Sequence, residues 1–288
     1  MRSFLLLAFA TLAAAHAAEA PPPAPPVSKL YEHEELRRFK SPEANQGVVA
    51  DDEFLYVISN SAIGKYRKTN GEQIAAWKQP KGGPLIHLNA GMMHEGKLYC
   101  AHSDFSQIPM TSSVEIFDPA TLKHISTHSL GIGPGSLTWI AWHQQSWFAC
   151  FAHYSKDKPK TGRDPSWTEL VQFDPQWRRM AGWVFPASIL ERFGGSSCSG
   201  GTFGRNGEIY VTGHTWAELY VLRFPEAGST LVHVDTIPIS AEGQAFCWDP
   251  VEPDIFYGII KRTQEVVVSR IKGTSAHPAQ PQQRTQSQ

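Results

Sequence analysis

The sequence predicts an all-β protein, a five-bladed β-propeller whose ring is closed by an N-terminal strand completing the last blade. Three observations predict it. An apolar strand, a tight polar turn and a second strand recur five times, from residues 46, 89, 138, 200 and 244, and a period of roughly 43 to 62 residues is that of four-stranded blades. Within each copy the apolar residues alternate with period two, without the 3.6-residue rhythm of helical repeats. The segment LYEHEELRRF ahead of the first copy is a spare strand, while the fifth copy ends without a fourth one; pairing them removes two free sheet edges.

Along the chain, residues 1–17 carry Arg2, an apolar run and small residues around His16, the layout of a cleaved signal peptide and hence of a periplasmic or secreted protein. Residues 18–29 read as a Pro/Ala-rich tether, residues 30–272 as the propeller and residues 273–288 as a disordered polar tail. First strands and their turns read QGVVADDEFLYVIS, NAGMMHEGKLYCAH, TWIAWHQQSWFACFAH, GGTFGRNGEIYVTGH and GQAFCWDPVEPDIFYGIIK. Third strands follow as IGKYRK, SVEIFDP, ELVQFDP, ELYVLRFP and EVVVSRI, with β-branched and aromatic residues alternating.

The chain has 26 Lys and Arg against 27 Asp and Glu. That balance supplies no field to gather nucleic acid, and no run beyond the signal is apolar for long enough to span a membrane. A closed ring without free edges fits a monomer. Cys100, Cys150, Cys198 and Cys247 sit singly in apolar runs; an exported chain allows disulfides or buried thiols there, and both readings stay open.

The short turns, such as DDE, HEG and RNG, gather on one face of the disc. The long loops SDFSQIPMTS, SKDKPKTGRDPSW and PASILERFGGSSC gather on the other, where sites are usually built. First-strand starts bring Gln46, Asn89, Thr138 and Gln244 to that face, with His87 and Glu242 just ahead of two of them. Second-strand ends bring Ser59, His102, His153, His214 and Lys261.

Histidines at the ends of three consecutive second strands either hydrogen-bond around the channel or ligate a divalent metal, zinc or calcium, or move protons near neutral pH. Glu242 either pairs with Lys261 or acts as base or ligand. Trp139, Trp167 and Trp216 stand where an indole can stack on a ring, although core packing is the alternative. Asp118, Asp174 and Asp249 read as turn residues, and His94 and His143 as ordinary residues of the opposite face.

At NQGVVADDEFLYV, HLNAGMMHEGKLYCAHS, GHTWAELYVL and EGQAFCWDP the chain resembles exported bacterial five-bladed propellers of the cycloisomerase-like kind, over residues 30–272. In architecture it is also similar to propeller-type glutaminyl cyclases and lactonase-like propellers. The resemblance implies an enzyme that opens or closes a small ring, such as a lactone, sugar acid or aromatic acid. By their place at the channel mouth, and not by any motif of that family, His102, His153, His214 and Glu242 would be the reactive groups, and Gln46, His87, Asn89, Gln244, Lys261 and Trp139 would hold the substrate. The alternative is a noncatalytic module that binds a glycan, peptide or envelope protein through its loops.

Overall fold

The computed structural model describes residues 28, 31–105, 107–132, 134–155, 162–204 and 207–273. The expected signal, tether and tail lie outside the described residues except for Ser28 and Gly273. Ser28 donates a hydrogen bond of 2.9 Å to Asp235 Oδ2.

Five antiparallel four-stranded sheets form the five blades. The N-terminal strand is β1 (Glu32–Lys40). Blade 1 runs from β2 (Gly47–Ala50) through β3 (Phe54–Ser59) and β4 (Ala62–Arg67) to β5 (Gln73–Lys78). Blade 2 holds β6 (Leu88–His94), β7 (Lys97–Ser103), β8 (Thr111–Phe117) and β9 (His124–Ile132). Blade 3 holds β10 (Ser136–His143), β11 (Ser146–Ala152), β12 (Glu169–Phe173) and β13 (Arg179–Val184), and blade 4 holds β14 (Gly200–Phe203), β15 (Ile209–Thr212), β16 (Glu218–Arg223) and β17 (Val232–Pro238). Blade 5 is β18 (Cys247–Trp248), β19 (Ile255–Ile260) and β20 (Glu265–Lys272), completed by β1, which pairs with β20 from Glu32↔Lys272 to Lys40↔Glu265.

Alternating side chains give each blade two apolar faces, so each seam between blades has its own core. Val49, Tyr56 and Ile58 of blade 1 meet Leu98 and Cys100 of blade 2, while Ala101 and Val114 of blade 2 meet Ile140 and Phe151 of blade 3. Tyr210 and Ile237 of blade 4 meet Phe246 and Phe256 of blade 5, and Val57 and Tyr66 of blade 1 meet Tyr257 and Val268 of blade 5. Each such side chain taken out of water contributes about 2 kcal/mol. The ring is further tied by Lys68 Nζ of blade 1, 2.7 Å from Asp249 Oδ2 of blade 5. At the axis Gly200 and Ala245 press together: a Cβ on Gly200 would stand 2.5 Å from Ala245 Cα.

Two elements differ from expectation. The first strand of blade 5 shrinks to two residues because Gly243 and Gln244 take φ of 61° and 65°, outside the range a strand accommodates. The segment PASILERFGGSSC, read as a loop, contains α1 (Ala187–Phe193), which buries Ile189 and Phe193 in the seam between blades 3 and 4. Asp118, Asp174 and Asp249 each accept backbone N–H bonds from residues two to four positions on, as turn residues do. His94 and His143 are not ordinary surface groups: His94 packs 4.8 Å from the Trp142 ring and His143 stacks 4.2 Å from Phe203. No helix among the described residues is long and apolar enough to cross a membrane.

Candidate functional site

A residue ending a second strand points along the alternation of that strand, and in blades 2 and 3 this aims it at the preceding blade. Cys100 packs on blade 1, and His102 two residues on shares its face. Phe151 packs on blade 2, and His153 two residues on shares its face. His102 and His153 therefore face successive seams. His214 lies edge-on to Tyr154 of blade 3, with ring centroids 5.8 Å apart, and donates from Nδ1 to Ser197 O at 3.0 Å. His153 Nε2 donates to Pro134 O at 3.1 Å, and the charges acting on its ring are Arg163, Glu169 and Asp164. Among the described residues no three His, Cys, Asp or Glu side chains are arranged to hold a metal ion.

What the fold does bring together is His87, His102, His214 and Lys261. Burial first, then the positive charges of the other three, push His87 down from 6.5 to about 4, so it is neutral at ordinary pH. Its ring stacks on Phe105 at 5.0 Å, Phe105 meets Tyr154 edge-on at 5.1 Å, and Tyr154 meets His214, giving an aromatic wall across the tops of blades 2 to 4. Burial raises the Tyr154 phenol, which stays protonated and hydrogen-bonds with Ser136. Ser136 Oγ lies 2.8 Å from Ser103 Oγ.

His102 has a buried nitrogen without a partner. It is 7% exposed, and its Nε2 has no hydrogen-bond partner among the described residues. Its Nδ1 lies 3.0 Å from Ser113 Oγ, and Ser113 in turn donates to Glu115 Oε1 at 2.6 Å. Because the hydroxyl proton of Ser113 goes to the carboxylate, its oxygen accepts from His102, which fixes the Nδ1–H tautomer and leaves a lone pair on Nε2. Glu115 is 1% exposed and also receives Thr127 Oγ1 at 2.6 Å and His124 Nε2 at 2.7 Å. Burial lowers the pKa of His102 while Glu115 and Asp104 oppose the shift.

Several of the remaining expected site residues hydrogen-bond within the ring. Gln46 Nε2 donates to Asn60 Oδ1 at 2.5 Å and Asn89 Nδ2 to Leu137 O at 2.8 Å, while the Gln244 backbone N–H donates to Gly213 O at 2.9 Å. These residues are buried; the Asn89 and Gln244 bonds link neighbouring blades, and the Gln46 side-chain bond lies within blade 1. Trp139, expected to stack on a substrate, is fully buried beside Gly201 and donates its indole N–H to Cys198 Sγ at 3.2 Å. The register shift between Leu137 and Trp139 rotates it into the seam between blades 3 and 4. Glu242 pairs with Arg262 at 2.9 Å, and Lys261 is exposed beside the histidines. All four cysteines are free thiols.

Sequence reasoning missed Ser113, Glu115, Phe105 and Tyr154. The signal for Glu115 was a carboxylate inside an otherwise buried strand, TSSVEIF, which is costly unless it is bonded for a purpose.

No protein-family model matches the chain, and neither does any curated protein. Among solved structures it is similar to a luciferin-regenerating enzyme, with a TM-score of 0.54 at 13% identity over 86% of this chain and 98% of that one. It also matches a gluconolactonase from Xanthomonas campestris, with a TM-score of 0.45 at 11% identity over 76% of this chain and 68% of that one. A third match is a virginiamycin B lyase from Staphylococcus aureus, at 0.45 and 9% over 83% and 99%. At these identities the likeness is one of fold, and the chain is a five-bladed β-propeller.

Proposed function

We propose that the top-face cluster is an acid–base site for a small ring-containing substrate, a lactone, sugar acid or aromatic acid, whose ring it opens or closes by proton transfer. The observation that carries this reading is the bare Nε2 of His102, backed by Ser113 and Glu115. A buried donor or acceptor left unpaired costs about 1 to 3 kcal/mol, a cost recovered when a ligand supplies the missing partner. His102 Nε2 takes a proton from the substrate carbon beside the carboxyl group as the ring C–O bond breaks by elimination, and returns it to that carbon when the ring closes. Ser113 and Glu115 hold the ring in the tautomer that can do so and stabilise the imidazolium that results. The Phe105 and Tyr154 rings, set edge to face, provide an aromatic wall, and Lys261 places a cation where a carboxylate or developing oxyanion gains from it.

The test is turnover and solvent-proton exchange in heavy water, followed by proton NMR, over a panel of lactones, cyclic sugar acids and aromatic acids, with wild type against His102→Asn. Turnover or exchange on at least one class, reduced about 100-fold or more in the variant, is expected. No reaction with any class, or equal rates in a folded His102→Asn variant, would sink the assignment.

A further inference from the structure

We propose that Cys150 and Cys198 form a modification site, a dithiol that an external disulfide oxidises to a covalent link between blades 3 and 4. Cys150 lies on β11 and Cys198 just ahead of β14. Both are fully buried in the apolar cluster that fills the seam between those blades, and their side chains hydrogen-bond to each other. Sulfurs in such a contact stand about 1.5 to 2 Å further apart than bonded ones, a distance that side-chain rotation closes. Contact is what sets this pair apart. Cys100 packs between blades 1 and 2 and Cys247 between blades 1 and 5, each without another cysteine in its cluster.

Trp139 shows how the sulfurs are brought together. It stands opposite Cys150 in the register of β10 and β11, and its indole N–H reaches Cys198 Sγ at 3.2 Å. The indole has room because residue 201 is glycine: a Cβ there would stand 2.4 Å from Trp139 Cε2. Cys198 turns its own S–H to Gly200 O at 3.5 Å, which leaves its lone pairs for Trp139 and Cys150.

The exchange takes two steps. One cysteine, as thiolate, attacks the external disulfide, forms a mixed disulfide and releases the first thiolate of the oxidant. The other loses its proton and attacks that mixed disulfide. The Cys150–Cys198 bond forms, the second thiolate leaves, and the oxidant, reduced by two electrons, takes up the two protons. In the folded ring this is blocked. Neither sulfur is exposed, and burial, then the bond to Cys198, pushes the Cys150 thiol well above its ordinary range. The link therefore forms while blades 3 and 4 come together during folding, and once formed it is shielded from reductants. It also ties down the segment whose Ser197 carbonyl accepts from His214 at the top face.

This link is independent of the role assigned to His102. Refolding from urea with oxidised glutathione, followed by thiol counting and peptide mapping without reduction, tests it. Two of the four thiols are expected to disappear, with one linked peptide pair carrying Cys150 and Cys198. The folded, reduced protein given the same oxidant is expected to keep all four. The link is expected to raise the urea midpoint by about 1 M, a rise absent in Cys150→Ala and in Cys198→Ala. Four free thiols after oxidative refolding, or pairing of either cysteine with Cys100 or Cys247, overturns the proposal. So does a link that leaves the midpoint unchanged or lower, or one that forms as readily in the folded protein. The mapping uses the wild-type chain, so a variant that fails to fold does not affect it.

Discussion

In blade 2 the second strand sets Cys100 opposite Glu115, and in blade 3 it sets Phe151 opposite Glu169; a histidine stands two residues beyond each, at 102 and 153. The same two functional groups thus occupy the same register in adjacent blades, both facing the preceding blade. Their states are opposite. His102 carries its proton on Nδ1, toward Ser113, and keeps Nε2 bare; His153 carries its proton on Nε2, toward Pro134 O. Two residues before each glutamate stands Ser113 in one blade and Trp167 in the other. Across the outer strand Thr127 and His124 answer Glu115, whereas Arg179 answers Glu169. The repeat fixes where a carboxylate and an imidazole go, and the side chains around them decide between a proton relay and an ion pair.

The largest separation is expected from removing the two glutamates. Glu115→Ala removes a buried carboxylate that accepts from half-buried Ser113 and from exposed Thr127 and His124, and is expected to cost about 2 to 3 kcal/mol in urea denaturation. Glu169→Ala breaks an ion pair whose arginine is 54% exposed and is expected to cost less than about 1 kcal/mol. Equal losses would mean that the two registers are energetically alike.

Acid is the next discriminator. His87 is neutral in the fold down to about pH 4, whereas in the unfolded chain it protonates near 6.5. Between these values the unfolded chain binds more protons, so stability is full above about pH 6.5 and falls as pH drops through 4, by at most about 3 kcal/mol. Denaturation midpoints of wild type and His87→Phe across that window check it: the variant is expected to lose less stability in acid. Ser113→Ala follows, at about 1 kcal/mol. Its sharper readout is nitrogen NMR of His102, which is expected to pass from a single Nδ1–H tautomer to a mixture.

The propeller was legible in the sequence because alternation and turn chemistry are local, and because the spare strand of Glu32–Lys40 had one edge to join. The chemistry was less so. Second-strand ends marked His102 and His153 but not the direction of their side chains, which the alternation of β7 and β11 turns toward the preceding blade. The His102–Ser113–Glu115 relay depends on a register set across the intervening loop, which no local pattern reports. Trp139 was misplaced by a bulge for the same reason. His87 was found because linker and strand start are adjacent in sequence.

The smallest effect is the most informative about the comparison. Trp167→Ser gives blade 3 the Ser-x-Glu spacing of blade 2 and, at an exposed position, is expected to change stability by no more than about 0.5 kcal/mol. If the hydroxyl alone made the relay, His153 would move its proton to Nδ1. Two observations oppose that: Glu169 remains in the bidentate grip of Arg179, and Pro134 O still accepts from His153 Nε2. Nitrogen NMR of His153 is therefore expected to be unchanged in Trp167→Ser and to shift only when Arg179→Ala and Val184→Thr are added, which free Glu169 and place opposite it the hydroxyl that Thr127 places opposite Glu115 in blade 2. A shift in the single variant would assign the difference between the blades to the intervening side chain alone.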